Sequence, residues 1–221
     1  MADSGPMPQA PAGSGPRRRT VLTAALAPLA LAGCSTDDAP ADPASGPQAA
    51  KDALIMVIRH AEKPYTGDSG QDETGEDDPG SLAGRGWRRA EALGRLFPPT
   101  RGASLPRPAT IFAAGGKTPA PARSRQTVAA LATALRVPVR TGFAVGAEPA
   151  LAQAALLSPM PVLVCWEHSG IPRLVRALGA HQVLGVPAYW PDRYDLVWMF
   201  TRRQGHWSFR ELPQHLLPQD A

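Results

Sequence analysis

An uninterrupted apolar run that stops at an arginine–histidine pair constrains this chain more than any other feature. The residues from Leu54 to Ile58 are all apolar, and Arg59 and His60 follow directly. A strand buried on both faces of a sheet has this composition, and charged residues come where it leaves the core. Ligands of open α/β sheets bind beyond the carboxyl ends of the strands, so we expect a binding or catalytic site at Arg59 and His60.

A second stretch repeats this plan later in the chain. The run from Pro161 to Trp166 is apolar, and Glu167 and His168 follow it. Strand-like and helix-like segments alternate along the rest of the chain, which predicts one three-layer α/β/α sandwich with a mostly parallel central sheet. His60 and His168 would then follow two strands of that sheet and could converge on one ligand.

The remaining elements are predicted from apolar periodicity and from the positions of glycine and proline. Helices are expected over residues 81–97, 123–135, 150–157 and 171–179, and short strands over 109–114 and 137–139. Residues 194–201 and 206–212 are expected to pair as a hairpin. Residues 65–81 are rich in glycine and acid but lack the spacing of a calcium-binding loop, so they predict a solvated mobile loop that could act as a lid.

The first 33 residues have the parts of an export signal. Three arginines at 17–19 precede an apolar run, which ends in Leu-Ala-Gly-Cys at residues 31–34. The paired arginines resemble a twin-arginine signal, and the tetrapeptide resembles a bacterial lipobox, whose cysteine is acylated. We therefore predict a signal at 1–33, a flexible linker at 34–52 and a folded domain at 53–221. The protein would be exported to the cell envelope and anchored through lipid on Cys34 to the outer face of the cytoplasmic membrane.

Composition excludes some functional classes. The formal charge is +4, but the basic residues are not interleaved with aromatic ones, so nucleic acid binding is disfavoured. There are two cysteines, and a lipidated Cys34 would leave Cys165 without a disulfide partner. Cys165 lies within the second apolar run and is predicted to be a core residue. No feature indicates an oligomeric state.

Three motifs together resemble a known family. Arg59-His60-Ala61-Glu62, a segment Arg123–Thr127 that opens a helix, and a distant His168 resemble in order and spacing the histidine phosphatase superfamily, the phosphoglycerate-mutase-like group. The resemblance covers roughly residue 53 to the C-terminus and implies a phosphoglycerate-mutase-like fold. It also implies a phosphohydrolase that cleaves phosphate monoesters through a phosphohistidine on His60. Arg59, Arg123 and His168 would bind the phosphate of a small substrate or phosphoprotein, with no metal or other cofactor.

The proton donor for the leaving group is not assigned by this resemblance. One branch of the family has an acid directly after the second histidine, where this chain has Ser169. Another branch has a glutamate roughly where Glu148 stands, so Glu148 is our prediction. Glu167, Glu62 and the acidic loop stay open as alternatives. Two other functions also stay open: a phosphomutase, which export disfavours, and a protein that binds a phospho-ligand with weak or no turnover.

Overall fold

The structure is a computed structural model that describes residues 51–98, 105–116 and 122–220. The predicted signal, Cys34 and nearly all of the predicted linker lie outside the described residues. They remain predictions, which labelling of the chain with a radioactive fatty acid would test. Within the described ranges, no helix is both long and apolar enough to cross a membrane.

Strands and helices alternate along the described chain, as the sequence predicts. The strands are β1 (Ala53–Arg59), β2 (Thr110–Ala113), β3 (Val139–Arg140), β4 (Val162–Trp166), β5 (Leu196–Arg203) and β6 (His206–Pro213). The helices are α1 (Gly84–Ala92), α2 (Arg123–Leu135), α3 (Glu148–Leu157) and α4 (Ile171–Ala177), and a 3₁₀ turn at Leu93–Leu96 continues α1.

The strands form one mixed sheet in the order β3-β2-β4-β1-β5-β6. The four strands from β3 to β1 are parallel, whereas β5 and β6 run antiparallel to their neighbours. Strand β1 lies in the interior of the sheet, where Val57 is level with Val164 of β4 and Trp198 of β5. The predicted α/β class, the mostly parallel sheet and the C-terminal hairpin are confirmed.

A hydrophobic core lies on each face of the sheet. Successive residues of a strand point to opposite faces. Ile55 and Val57 accordingly belong to one core with residues of α3 and α4, while Met56 and Ile58 belong to the other with residues of α2. Cys165 is fully buried in the second core, as predicted, and burial raises the pKa of its thiol to about 12. Helices on both faces complete the three layers.

Local sequence explains two of the element boundaries. Helix α1 begins at Gly84, later than predicted, because Ser81 and Leu82 hydrogen-bond to the side chain of Gln126 in α2. The β5–β6 hairpin turns at Gln204 and Gly205, which have φ of 49° and 83°. A two-residue turn with positive φ at both central residues matches the right-handed twist of the two strands that it joins.

Candidate active site

The two predicted histidine segments come together at the carboxyl ends of the interior strands β1 and β4. Strands β1 and β4 are parallel neighbours, with Arg59 level with Trp166. Directly after β1, the backbone N–H of His60 donates to the carbonyl of Trp166 over 3.0 Å. The structure therefore places Arg59 and His60 beside Glu167 and His168, as the strand pattern predicts.

The ring of His60 is fixed by its own neighbour in the chain. Its side chain is buried, and Nδ1 lies 2.8 Å from the carbonyl oxygen of Ala61. A carbonyl only accepts hydrogen bonds, so Nδ1 carries the proton and Nε2 carries the lone pair of the neutral ring. Burial, with smaller contributions from the charges of Arg123 and Arg59, lowers the pKa of His60 to about 4. The imidazole is consequently neutral at pH 7.

The guanidinium of Arg59 is held by residues of the segment that precedes β5. Its guanidinium donates to the hydroxyl of Tyr194 over 3.1 Å and lies 3.9 Å from the centre of the Tyr194 ring. It also donates over 3.2 Å to Asp192, whose side chain is almost wholly exposed. The Nε of Arg59 is buried and has no hydrogen-bond partner among the described residues. A buried, unpaired guanidinium N–H is the donor that an anionic ligand would satisfy.

Arg123 opens helix α2 and has a similar free donor. One terminal nitrogen donates over 3.0 Å to the carbonyl of Pro79, while Nε is buried without a partner among the described residues. Burial lowers the pKa of Arg123 from its usual value. Its charge is close enough to His60 to lower the pKa of that imidazole. The charges of two guanidinium groups, those of Arg59 and Arg123, therefore act on the neutral ring.

A single hydroxyl links the His60 segment, residues 59–62, to helix α2. Thr127 Oγ1 accepts from the backbone N–H of Ala61 over 2.8 Å and donates to the carbonyl of Arg123 over 2.7 Å. Ala61, whose carbonyl holds the imidazole, is thus joined through one side chain to Arg123, the first residue of α2. This contact gives the threonine of the Arg-x-x-x-Thr segment a positioning role, which the sequence alone did not specify.

The acidic loop 65–81 is also tied to α2. Its turns are closed by carboxylates: Asp68, Asp72 and Asp78 accept hydrogen bonds from backbone N–H groups of the loop. Glu73 pairs with Arg125 of α2 over 2.7 Å. Together with the bond from Arg123 to the carbonyl of Pro79, these contacts hold the loop against the start of α2. A loop was predicted here. Three of its aspartates close its turns, and Glu73 pairs with α2.

His168 is more exposed than His60. Its side chain is 43% exposed, and Nδ1 lies 2.7 Å from a Glu167 carboxylate oxygen, although outside hydrogen-bond geometry. The other Glu167 oxygen accepts from the backbone N–H of Ser169 over 2.9 Å. Burial opposes ionisation of Glu167, but the Ser169 hydrogen bonds and the charge of His168 outweigh it and lower the pKa. Glu167 also acts on His60, whose pKa its charge raises slightly against the larger effect of burial.

The contacts of Glu148 do not support the predicted proton-donor role. Its carboxylate is fully buried at the start of α3 and accepts from Trp166 Nε1 over 3.0 Å, from the backbone N–H of Gly146 over 3.0 Å and from Arg173 over 3.1 Å. Burial raises its pKa, but these hydrogen bonds, that of Arg173 first, outweigh it and leave the pKa lowered. Glu148 is therefore charged at neutral pH and links α3 to α4.

Replacing Glu148 with glutamine is expected to lower the free energy of unfolding by about 1–3 kcal/mol, because Arg173 and Trp166 lose a charged acceptor. Turnover well below the unfolding midpoint should stay unchanged, since the carboxylate lies in a structural ion pair. Urea unfolding and steady-state kinetics of the variant would measure both, with the exposed Glu91 replaced by glutamine as the matched control. A large loss of turnover with unchanged stability would restore the proton-donor prediction.

Two residues that contact Arg59 were not found from the sequence. Asp192 and Tyr194 lie in the segment between α4 and β5, where no apolar periodicity marks a site. The ring of Tyr194 also lies 6.1 Å from that of His60, measured between ring centres. Only the fold, which brings β5 beside β1, reveals that these residues belong to the site.

Comparison with known proteins gives structural neighbours but no sequence match. No protein-family model matches the chain, and no curated protein matches it. Among solved structures, a mycobacterial glucosyl-3-phosphoglycerate phosphatase is similar with a TM-score of 0.47 and 15% identity, covering 72% of this chain and 97% of that one. A variant phosphoserine phosphatase from Entamoeba histolytica, in complex with phosphoserine, is similar with a TM-score of 0.45 and 14% identity, covering 75% of this chain and all of that one. The solved structures to which this chain is similar thus include phosphatases, and neither likeness is close enough to assign the site.

Proposed function

We propose that this protein is a phosphohydrolase that cleaves phosphate monoesters through a covalent phosphohistidine on His60. One observation carries the proposal: the Ala61 carbonyl fixes Nδ1 of a buried, neutral His60, which leaves the lone pair on Nε2, and the charges of Arg59 and Arg123 both act on the ring. A neutral imidazole with a fixed tautomer is a nucleophile at pH 7. The family resemblance of the sequence motifs points to the same chemistry.

In the first step, Nε2 of His60 attacks phosphorus, the N–P bond forms and the ester P–O bond breaks. The free Nε donors of Arg59 and Arg123 would bind the phosphoryl oxygens, whose charge persists through the transfer. His168 would add a donor from the exposed side of the site. In the second step water attacks phosphorus, the N–P bond breaks and orthophosphate leaves, with His60 returned to its neutral form.

Of the predicted acids, Glu167 is the one that we assign to proton transfer. Glu148 is bound to Arg173, and Glu62 is bound to two arginines. Glu167 directly follows Trp166, whose carbonyl accepts from the backbone N–H of His60, and it is ionised, so it would accept the proton of the attacking water in the second step. An ionised Glu167 cannot protonate a leaving oxygen at pH 7. We therefore infer a preference for phosphate esters with good leaving groups, such as aryl phosphates.

Rapid-quench labelling of the purified protein with a ³²P-labelled aryl phosphate tests the proposal. We expect phosphate bound to protein within the first turnover, stable in alkali and lost in acid, as a phosphoramidate is. Folded protein that neither turns over nor retains label across aryl, alkyl and protein-bound phosphates would contradict the proposal.

A protein that binds a phospho-ligand without turnover is the second candidate. It is favoured by one observation, that the predicted donor Glu148 is committed to a structural ion pair. Calorimetric binding of orthophosphate together with absence of label in the rapid-quench experiment would support this candidate. A phosphomutase would instead return the labelled phosphoryl group to a second hydroxyl of its product, which product analysis would detect.

A further inference from the structure

A buried network of charged side chains lies behind the His60 segment. Glu62 accepts from Arg85 over 3.1 Å and from Arg89 over 2.8 Å, and both arginines also donate to Asp220, over 3.0 and 2.7 Å. Arg89 is only 2% exposed, so it depends on these two carboxylates for its charge. The four residues, which we call the Arg89 network, join three parts of the chain: the His60 segment, helix α1 and the segment after β6.

The Arg89 network reaches His60 through two peptide groups. The carbonyl of Glu62 accepts from the backbone N–H of Ala83 over 2.9 Å, just before α1. A Cβ atom on Gly86 would lie 2.6 Å from that same carbonyl, so only glycine allows α1 to pack this closely on the Glu62 backbone. The carbonyl that holds Nδ1 of His60 belongs to Ala61, directly before Glu62. The Ala61 carbonyl and the Glu62 N–H belong to one planar peptide group, so a displacement of the Glu62 backbone would move the group that fixes the imidazole.

Asp220 contributes to this network from a distant part of the sequence. One of its carboxylate oxygens accepts from the backbone N–H groups of Leu216 and Leu217 over 2.9 and 3.0 Å, which closes a turn after β6. It also accepts from Arg89 Nη1 over 2.9 Å, and the other oxygen accepts from Arg85 and from Arg89 Nη2. Burial opposes ionisation of Asp220, but the hydrogen bonds, that of Arg89 first, hold its pKa well below the usual range. The carboxylate is thus charged and fully engaged.

A cavity of about 350 Å³ lies beside this network. The cavity is lined by Glu62, Arg85, Arg89 and Asp220 and by Tyr194, on which Arg59 stacks. The described hydrogen bonds of the Glu62 carboxylate come from Arg85 and Arg89. The position of the Glu62 carboxylate is consequently set by its two arginines, and Asp220 orients both of them.

We propose that Asp220 is a positioning residue for His60, acting through Arg89 and Glu62 on the Ala61 carbonyl. The inference rests on the proposed function of His60 as nucleophile. In an Asp220→Asn variant, the remaining oxygen can still accept from Leu216, Leu217 and Arg89 Nη1, but the negative charge is lost and the amide presents N–H groups to Arg85 and to Arg89 Nη2. The arginines lose an acceptor, Glu62 is pulled toward them, and the peptide that orients the imidazole shifts.

The test compares wild type with Asp220→Asn, Asp220→Glu and Asp52→Asn. Asp52→Asn is the matched control, because Asp52 pairs with Arg203 over 2.8 Å at the opposite end of β1. We expect Asp220→Asn to lower kcat by about 10- to 100-fold with KM changed less than about threefold, since small displacements of a nucleophile have effects of this size. Asp220→Glu, which keeps the charge, should recover part of the loss, and the control should match wild type.

The imidazole signals of His60 in an NMR spectrum give a readout that does not need activity. We expect Asp220→Asn to shift these signals and the control to leave them in place. If Asp220→Asn lowers only the melting temperature, with kcat and the His60 signals unchanged, Asp220 is a stabilising contact and the inference is wrong. Absence of turnover in wild type would instead contradict the proposed function, while the NMR comparison would still decide whether Asp220 positions the imidazole.

Discussion

Replacing His60 with alanine is expected to reduce phosphate release by at least about 10⁴-fold, because loss of a nucleophile removes the covalent route altogether. No protein-bound phosphate should be trapped in a rapid quench. Arg59 and Arg123 are unchanged in the variant, so orthophosphate should still bind, which isothermal calorimetry would measure. Lost turnover with retained binding separates the nucleophile from the residues that hold the phosphate.

His206→Ala is the matched control for this variant. Nδ1 of His206 also contacts a backbone carbonyl, that of Gln204 over 3.1 Å, but the residue is exposed in the β5–β6 hairpin. Its removal should leave turnover and labelling as in wild type. Turnover by His60→Ala at more than a few per cent of the wild-type rate would show that phosphate is released by another route.

Replacing Arg59 with lysine is expected to lower kcat/KM by about 10²- to 10³-fold, the size of effect seen when one donor to a developing oxyanion is removed. The charge is kept, but an ammonium lacks the fork that contacts Tyr194 and Asp192 while leaving Nε free for the ligand. Steady-state kinetics with an aryl phosphate would measure the loss. Most of it should be in kcat, because the donor acts most strongly on the charge of the transition state.

Arg203→Lys is the control, since Arg203 makes an exposed ion pair with Asp52 far from the site. An equal loss in both variants would mean that the lysine change acts through general stability. A loss confined to KM in Arg59→Lys would show that Arg59 binds substrate and transition state alike.

Much of the fold follows from apolar patterning because the interior strands β1 and β4 are buried on both faces. The run Leu54–Ile58 and its counterpart in β4 have no polar residue to break them, and this continuity identifies both as interior strands. The same runs locate the site, since parallel neighbours must end at the same edge. Helix α2 was predicted with its observed bounds, because mostly apolar residues from Val128 to Leu135 follow the polar Arg123–Thr127 segment that opens it.

The partners of the site residues could not be predicted, because they depend on contacts between distant segments. Glu148 stands where a family acid was expected, and α4 brings Arg173 against its carboxylate. Tyr194 meets Arg59 only because β5 returns antiparallel to β1. No local pattern indicates either contact. The position of a glutamate in the sequence does not show whether its carboxylate forms a buried ion pair or can donate a proton.

The hydrogen bond from Arg123 to the carbonyl of Pro79 ties the position of an arginine of the site to the conformation of one surface loop, residues 65–81. Loops of this kind are where proteins vary between relatives and where substrates are selected. In the proposed function, the same loop would also set the position of Arg123, which we propose as a phosphate-binding cation. A change in its length or turns would alter which leaving groups fit and how strongly phosphate is held. Selectivity and catalytic power in this protein would therefore be expected to evolve together rather than as separate traits.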